Sequence, residues 1–344
     1  MTEKTDIMTH PSPFTIAVVM PVRNEERFIG QTLDQLRQQE FPLEQVEVII
    51  ADGDSSDGTR EIAKGYASRF GSLRILNNDG MLPSSGRNVG IRQSSAPYIL
   101  ILDGHCHIPG NKLLADMVRL FESTGAGCLC RPQPLDPPDI SSFQRAVAIC
   151  RNSPLGHKPG SEIYADFEGE VDPTSSGAMY RREVFDMVGY FDESFDACED
   201  VELNHRVKEA GIKSILSPLL KIYYYPRENL RGLWKQMRRY GRGRFNYSVK
   251  HRIFSPIQWF SGAAVAGLGL GIALSIFSSL FCWLTTLAII GYLLLVSAVS
   301  FQLYRQNKEL GLLLFGPAIF ATVHFGLGVG FLEGLVGRVW PRRW

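Results

Sequence analysis

The sequence predicts an α/β fold with a mostly parallel sheet, followed by C-terminal transmembrane helices. Short apolar runs alternate with amphipathic segments through roughly the first 120 residues, which is the pattern of parallel strands joined by helices. The 50 residues from 255 to 304 then contain no Asp, Glu, Lys, Arg or His. Because about 20 helical residues cross a bilayer, the 344-residue chain combines a soluble part with a membrane region.

The predicted strands and helices of the soluble part follow one another in order. TIAVVMPV is an apolar run stopped by a proline, and NEERFIGQTLDQLRQQ after it has apolar residues at helical spacing. VEVIIADGD predicts the second strand and DGTREIAKGYASRF the next helix. SLRILNN predicts the third strand, GRNVGIRQSS a helix and YILILDG the fourth strand. Residues 120–225 are less regular.

Charge patterning places the soluble part in the cytoplasm. Residues 227–252 hold nine Lys and Arg against one acid, and the positive-inside rule keeps such clusters on the cytoplasmic side. Residues 255–304 fit two spans with a short connection around 278–286. If the third apolar segment, Leu310–Leu332, also spans, the basic tail lies outside, against the rule. The sequence is therefore also compatible with a third segment that is re-entrant or lies at the membrane interface.

These features divide the chain into five predicted parts. They are a disordered N-terminal lead (1–13), an α/β domain (14–226), a basic juxtamembrane segment (227–254), a membrane region of two or three helices (255–337) and a basic tail (338–344).

Composition and motifs disfavour several classes of protein. A net charge of +1 argues against a globally basic nucleic-acid-binding protein. The six cysteines have neither disulfide nor zinc spacing, so reduced thiols are expected. The glycine-rich signatures of dinucleotide and P-loop sites are missing from the sequence.

Polar residues follow three predicted strands, at the edge where parallel sheets bind ligands. They are Arg23 and Glu25 after the first strand, Asp52 and Asp54 after the second, and Asp103 and His105 after the fourth. The turn after the second strand is equally typical of helix N-capping.

Asp103 and His105 are candidate ligands of a divalent cation. Residues two apart at a strand end point to the same side, and Mn²⁺ accepts imidazole beside oxygen ligands. Such an ion would stabilise a departing diphosphate. The alternative is an ordinary turn histidine at position 105, and His107 is a weaker candidate ligand.

Two helical segments carry the remaining candidates. Glu199 and Asp200 begin an amphipathic helix, where acids either complement the helix dipole or act as a general base. Gln236, Arg239 and Tyr240 lie on one side of a later helix, which could equally be a surface facing anionic lipid headgroups.

Taken in order, these segments resemble the family-two inverting glycosyltransferases of GT-A fold, especially membrane-attached, succinoglycan-type exopolysaccharide transferases. The resemblance covers about residues 16–244 and, more loosely, the membrane segments. The matching pieces are VVMPVRNEERFI, VIIADGDSSDGTREI, GRNVGI, LILDGHCHIP, SSGAMYRREVFDMVGYFDESF, CEDVELNHRV and QMRRYGRGR.

The resemblance implies a role for each site residue. The nucleotide sugar would be bound by Pro21, Arg23, Glu25, Asp52, Asp54, Arg87, Asn88 and Asp103. Asp103 and His105 would hold Mn²⁺ or Mg²⁺ where the family has Asp-x-Asp, and Asp200, preceded by Glu199, would be the catalytic base. The diphosphate and acceptor would be bound by Gln236, Arg239 and Tyr240. Tyrosine replaces the tryptophan of the family's Gln-x-x-Arg-Trp segment, which favours addition of one sugar over processive synthesis.

The resemblance also implies the reaction and the location. The expected activity is metal-dependent, inverting transfer of one sugar from a nucleotide-diphosphate sugar, with UDP favoured, to a hydroxyl of a polyprenyl-diphosphate-linked saccharide. The expected location is the inner (cell) membrane, multi-pass, with the catalytic domain cytoplasmic and no nucleic-acid partner. The alternatives are a polyprenyl-phosphate sugar synthase and a catalytically inactive membrane scaffold of the same fold.

Overall fold

The computed structural model describes residues 12–157, 162–164 and 166–339. Most of the predicted N-terminal lead, and the tail beyond residue 339, lie outside the described residues. The rest forms one α/β domain followed by three helices that are long and apolar enough to cross a membrane. The predicted fold class is therefore confirmed.

The central sheet has eight strands, and a separate two-stranded ribbon lies beside it. The bounds are β1 (Ile16–Val22), β2 (Val46–Asp52), β3 (Ser72–Asn77), β4 (Tyr98–Ile101), β5 (Cys106–His107), β6 (Cys128–Cys130), β7 (Gly169–Glu170), β8 (Gly177–Arg181), β9 (Ser214–Leu216) and β10 (Tyr223–Tyr224). The strand order is β3-β2-β1-β4-β8-β6-β9-β7, and β5 pairs with β10. The first four strands are parallel, whereas β8 and β7 run antiparallel to their neighbours.

Eleven α-helices complete the described part of the chain. They are α1 (Ile29–Arg37), α2 (Thr59–Lys64), α3 (Pro83–Gln93), α4 (Leu113–Thr124), α5 (Ser142–Asn152), α6 (Arg182–Val188), α7 (Glu199–Glu209), α8 (Leu230–Lys250), α9 (Pro256–Leu274), α10 (Ser279–Asn307) and α11 (Gly311–Val339).

Two helix boundaries differ from the prediction. Helix α2 ends at Lys64 instead of continuing to Phe70, because Gly65 closes a tight turn by donating to the carbonyl oxygen of Ile62. Glycine is a poor residue for continuing a helix. The connection between α9 and α10 occupies residues 275–278, earlier than expected, and α10 begins directly after the extended residue Ser278.

Strand β1 shows how the core is built on both faces of the sheet. Ile16, Val18 and Met20 pack into one apolar cluster, while Ala17 and Val19 pack into a second cluster on the opposite face. This alternation is the two-residue period of a strand. Helices α1 and α4 cover the first face, and α3, α6 and α7 cover the second. The strands are therefore apolar on both sides, which is why they read as continuous apolar runs.

Helices α8 and α11 approach each other most closely at glycines, where there is no room for a side chain. A Cβ at Gly330 would collide with the carbonyl oxygen of Arg238, whereas a Cβ at Gly337 would meet no atom within 4 Å. We expect Gly330→Ala to lower the free energy of unfolding by about 1–3 kcal/mol, because overpacking displaces the backbone. Thermal unfolding of the full-length protein in detergent measures this change.

Gly337→Ala is the matched control on the same helix. It is expected to leave stability unchanged or to raise it by up to about 1 kcal/mol, because alanine has the higher helix propensity. Equal melting temperatures for both variants and the wild type would contradict the close contact between α8 and α11.

Candidate active site

The site lies where the carboxyl ends of three parallel strands meet. Strand β1 is hydrogen-bonded to β2 on one side and to β4 on the other, and the last residues of β1 and β2, Val22 and Asp52, are direct partners. The chain leaves β1 for β2 and later returns to the opposite side of β1. Ligands bind in the crevice at such a switch in strand order. The predicted strand-end residues are therefore brought to one edge of the sheet.

Asp52 is the most deeply buried carboxylate of this edge, at 1% exposure. It accepts hydrogen bonds from Arg60 Nη1 at 2.8 Å and from the backbone N–H of Ser55. Asp54, next to it, is exposed and has a left-handed backbone with φ of 62°. Asp57 accepts from the N–H of Thr59, the first residue of α2, whose N-cap residue is Gly58. The turn thus satisfies one N–H at the start of the helix, as the capping interpretation predicts, and leaves Asp54 facing solvent.

The loop after β1 is fixed to the loops after β2 and β4. The N–H of Glu25 donates to Thr59 Oγ1 at 2.8 Å, and the Glu25 carboxylate is 2.8 Å from His105 Nδ1. Arg23 beside it is exposed, and Pro21 lies within β1 against Gly86 of α3. Of these residues, Glu25 and His105 are in direct contact.

Asp103 and His105 lie side by side and influence each other electrostatically. Burial by itself raises the pKa of Asp103, but the charges of Arg87, His105 and Arg131 lower it below its ordinary value. Burial by itself lowers the pKa of His105, but the hydrogen bond to Glu25 and the charge of Asp103 raise it. The pair is therefore strongly polar, with a carboxylate that stays ionised.

The donor set of this pair fits a hard divalent cation that also binds substrate. No group of three or more His, Cys, Asp or Glu side chains that could hold a metal occurs among the described residues. Mg²⁺ and ions like it are commonly held by one or two protein carboxylates, with water and substrate phosphates as the other ligands. Glu25 occupies Nδ1 of His105, which leaves Nε2 for a ligand, as in metal-bound histidines oriented by a carboxylate.

Arg87 joins the strand-end residues to the predicted catalytic acids. Its Nη1 donates to Glu199 Oε1 at 2.6 Å, and its Nη2 is 3.6 Å from Asp103 Oδ1. Burial by itself lowers the pKa of Arg87, but the charges of Glu199, Asp103 and Asp200 raise it above its ordinary value. Asp200 therefore belongs to the same charged cluster as Asp103, although they are far apart in the sequence.

Helix α3 places Arg87 at this point by lying directly on the sheet. Gly90, one turn further along, allows this because a Cβ there would collide with Val19 of β1. Asn88 beside Arg87 is 1% exposed, donates to Phe191 O and Glu193 Oε1, and accepts from the N–H of Phe191. The structure thus places Asn88 within protein contacts that hold the loop leading to α7.

The turn before α7 presents two acids in different environments. Cys198 has a left-handed backbone with φ of 63°, uncommon for a residue other than glycine, and it directly precedes Glu199. Glu199 is buried, which raises its pKa; Arg87 opposes this shift and Asp200 adds to it. Asp200 is exposed and accepts only from the N–H of Val201 among the described residues. Asp200 is therefore the carboxylate that is free to meet a substrate.

Helix α8 packs against this turn. A Cβ at Gly243 would collide with the carbonyl oxygen of Ala197, and Cys198 Sγ is 3.8 Å from the carbonyl oxygen of Tyr240. Gly241, two residues earlier, faces away from the turn and packs against the α11 backbone at Leu327. Helix α8 is therefore in backbone contact with the acidic turn on one side and with α11 on the other.

The three predicted acceptor residues lie on the part of α8 nearest the turn. Arg239 donates to the carbonyl oxygen of Asp196, and Gln236 Nε2 is 3.4 Å from Tyr240 Oη. Burial raises the pKa of Tyr240, and the charge of Asp200 raises it further. Arg239 is thus bonded to the turn before α7, and Tyr240 is close enough to Asp200 to be influenced by its charge.

Arg131 and Tyr224 join the site without having been predicted from the sequence. Arg131 follows β6, is 2% exposed and donates from Nη2 to Tyr224 Oη at 2.8 Å. Its Nε and Nη1 have no hydrogen-bond partner among the described residues, which is rare for buried donors. Its place at the end of a buried strand, like that of Asp52, is the signal that could have revealed it.

The sequence matches known families and relatives over most of its length. A model described as glycosyl transferase family 2 matches residues 17–189, and one described as glycosyl transferase family group 2 matches residues 167–301. The succinoglycan biosynthesis protein ExoA of Rhizobium meliloti (strain 1021) is 33% identical over 264 residues, which cover 75% of this chain and 78% of that protein. A Methanococcus voltae protein named dolichyl N-acetyl-alpha-D-glucosaminyl phosphate 3-beta-D-2,3-diacetamido-2,3-dideoxy-beta-D-glucuronosyltransferase is 23% identical, covering 93% of this chain and 97% of that protein.

Solved structures show the same fold. The mannosyltransferase PcManGT from Pyrobaculum calidifontis, in complex with GDP-Man and Mn²⁺, aligns with a TM-score of 0.56 at 17% identity, covering 97% of this chain and 90% of that chain. The S. aureus TarS 1–349 structure with UDP-GlcNAc aligns with a TM-score of 0.53 at 17% identity, covering 94% and 92%. On the match of the family model and the identity to ExoA, the chain belongs to glycosyltransferase family 2, with a GT-A-like domain.

Proposed function

We propose that the protein transfers one sugar, with inversion, from a nucleotide-diphosphate sugar to a hydroxyl of a membrane-associated saccharide. The observation that supports this proposal is the pairing of Arg87 with both Asp103 and Glu199, with the charge of Asp200, next to Glu199, also acting on Arg87. A candidate diphosphate-binding group and a candidate base are thereby linked through one arginine. UDP is the favoured nucleotide of the donor. Of two proteins with a similar fold, TarS was solved with UDP-GlcNAc and PcManGT with GDP-Man.

The proposed reaction is a single displacement. Asp200 accepts the proton of the acceptor hydroxyl, and the hydroxyl oxygen attacks the anomeric carbon from the face opposite the diphosphate. The bond from that carbon to the diphosphate oxygen breaks, and the electron pair leaves with the diphosphate. Arg239, which donates to the carbonyl oxygen of Asp196 just before α7, would help neutralise this charge. Glu199 and Arg87 hold the start of α7 in place for the base.

The other predicted site residues have proposed roles around the donor. Asp52 and Asp54 would bind the nucleoside, together with Pro21, Arg23 and Glu25. Asp103 and His105 would hold Mn²⁺ or Mg²⁺, which as a Lewis acid neutralises phosphate charge. Gln236 and Tyr240 would contact the acceptor. Asn88 acts through the loop at Phe191, where it is hydrogen-bonded.

We further propose a polyprenyl-diphosphate-linked saccharide as the acceptor and the inner (cell) membrane as the location, with the catalytic domain cytoplasmic. The basic helix α8 and the apolar helices after it support this location. The name of the Methanococcus voltae relative includes a dolichyl-linked sugar phosphate, and that of the Rhizobium meliloti relative refers to succinoglycan biosynthesis. A lipid-linked saccharide would reach the site directly from the membrane.

Binding of the donor tests the proposal without requiring the acceptor. We expect a UDP-sugar with Mn²⁺ to raise the melting temperature of the purified full-length protein by about 5 °C at saturating ligand, because binding to the native state stabilises it. His105→Ala should lose the part of this shift that depends on Mn²⁺. A thermal-shift panel of UDP- and GDP-sugars, with and without Mn²⁺, measures both effects.

His107→Ala is the matched control, because His107 lies two residues away and contacts Gln35 and Tyr223. It should keep the Mn²⁺-dependent shift. Identical metal titrations for His105→Ala and the wild type would contradict the metal role. The donor role would be contradicted if no nucleotide sugar shifted the melting temperature.

A further inference from the structure

We propose that α11 does not cross the membrane but lies along its surface, on the side of the catalytic domain. The C-terminal end of α11 then lies on the same side of the membrane as the catalytic domain. This inference concerns the membrane arrangement and does not depend on sugar transfer. It rests on contacts that α11 makes at both ends and along its length.

Both ends of α11 are joined to helices outside the membrane region, α5 of the catalytic domain at the start and the basic helix α8 near the other end. At the start, Glu309 Oε2 is 3.2 Å from Arg145 Nε, and Glu309 Oε1 accepts from Ser142 Oγ at 2.6 Å. Near the other end, Glu333 accepts from Arg238 Nε at 2.6 Å and pairs with Arg242 at 3.4 Å. A helix that spans a bilayer has its two ends on opposite sides, so a domain on one side could not pair with both.

The middle of α11 also contacts the catalytic domain. His324 Nε2 is 2.9 Å from the carbonyl oxygen of Leu155, and the rings of Phe315 and Phe143 are 5.3 Å apart at their centroids. Ile319, Phe320 and Val323 pack with residues of α5 and α8 in one apolar cluster. The contact is therefore continuous from one end of the helix to the other.

The length of this contact exceeds the thickness of a membrane. Glu309 and Glu333 lie 24 positions apart, which corresponds to about 36 Å at 1.5 Å per residue, against a hydrocarbon core of about 30 Å. If α11 crossed, α5 and α8 would have to enter the hydrocarbon with it. Helix α8 carries seven Lys and Arg and no acid, and charges at the bilayer centre are costly.

Helix α11 is more buried than the two helices before it. In the most apolar 18 residues of each helix, 39% are buried in α11, against 6% in α9 and 6% in α10. Helices α9 and α10 thus expose most of their apolar surface, as membrane helices do. Either two crossings or a re-entrant hairpin by α9 and α10 returns the chain to its starting side.

The partner of this surface is a bilayer with anionic headgroups. Helix α11 exposes apolar side chains at Leu313, Leu314 and Val336, while the neighbouring α8 exposes Arg231 and Lys235. An apolar surface beside basic side chains is typical of segments that lie in the headgroup region. With α11 in this position, Arg338 near its end stays on the cytoplasmic side and agrees with the positive-inside rule.

Single cysteines test the arrangement in the full-length protein. Cys282→Ser removes the exposed native thiol, and the other five cysteines are buried. Gly337→Cys then reports on the end of α11, and Gly110→Cys on the catalytic domain; a Cβ at either position meets no atom within 4 Å. A membrane-impermeant maleimide is applied to intact cells and to inverted membrane vesicles.

We expect both cysteines to be labelled in inverted vesicles and not in intact cells. Labelling of Gly337→Cys from the side opposite to Gly110→Cys would overturn the proposal, as would protection of Gly337→Cys in both preparations with labelling restored by detergent. Because no transfer activity is measured, a failed topology and a failed donor-binding test are distinguishable results.

Discussion

Replacing Asp200 by asparagine is expected to reduce sugar transfer by about 10²- to 10⁴-fold, the usual contribution of a general base. Asparagine matches aspartate in size but cannot accept the proton of the acceptor hydroxyl. Asp200 is exposed and is bonded only to the start of its own helix among the described residues. The substitution should therefore lower stability by no more than about 1 kcal/mol, the value of an acid at a helix N-terminus. Steady-state transfer rates with a UDP-sugar donor measure the effect.

The matched control for Asp200→Asn lies at the other end of the same helix. Glu209 is exposed at the last turn of α7, and Glu209→Gln removes the same charge far from the site. It should leave the transfer rate unchanged. If Asp200→Asn binds the donor normally and still transfers at the wild-type rate, Asp200 is not the base.

Arg87→Met is expected to destabilise the protein by about 3–5 kcal/mol, because it leaves a buried carboxylate without its partner. The side chains of Arg87 and Glu199 are only 9% and 7% exposed, and they are bonded at 2.6 Å. Methionine keeps much of the arginine volume, so the loss of stability reports the missing charge. Denaturant-induced unfolding of the full-length protein in detergent measures it.

Arg92→Met is the matched control on the same helix. Arg92 and Glu193 are 54% and 48% exposed at 3.6 Å, and exposed pairs contribute up to about 1 kcal/mol. Adding Glu199→Gln to Arg87→Met should recover part of the lost stability, because the unpaired charge is removed. Equal effects of Arg87→Met and Arg92→Met would show that the buried pair does not stabilise the fold.

The strands at the site could be predicted from sequence because burial on both faces makes them apolar throughout. Strands β1, β2 and β4 are buried along nearly all their residues, and each ends near a polar residue of the site. A simple rule, that parallel strands present ligands at their carboxyl ends, was enough to group Asp52 with Asp103. The connection to Asp200 needed the order of several motifs along the chain.

The parts that escaped prediction depend on contacts between distant segments. The sequence RPQPLDPPD indicates a loop, yet Arg131 within it is buried beside Tyr224, which is distant in the sequence. Asn88 reads as a pocket residue, but its amide is bonded to the loop at Phe191. The composition of α11 allows a third membrane span, as predicted, but gives no sign of the contacts that support the proposed position at the membrane surface. Its ion pairs to α5 and α8 involve residues far away in the sequence and leave no local pattern.

The two glycines of α8 have a consequence for how the enzyme can be handled. Gly241 and Gly243 face opposite ways, one against α11 and the other against the acidic turn. Only the width of one helix, about 10 Å, therefore separates α11 from the turn that carries the proposed base. We expect a version of the protein cut before residue 255 to expose Leu233, Met237 and Phe245, which pack with residues of α11. Because α8 also contacts the turn at Gly243, we expect a detergent that displaces α11 to lower the transfer rate.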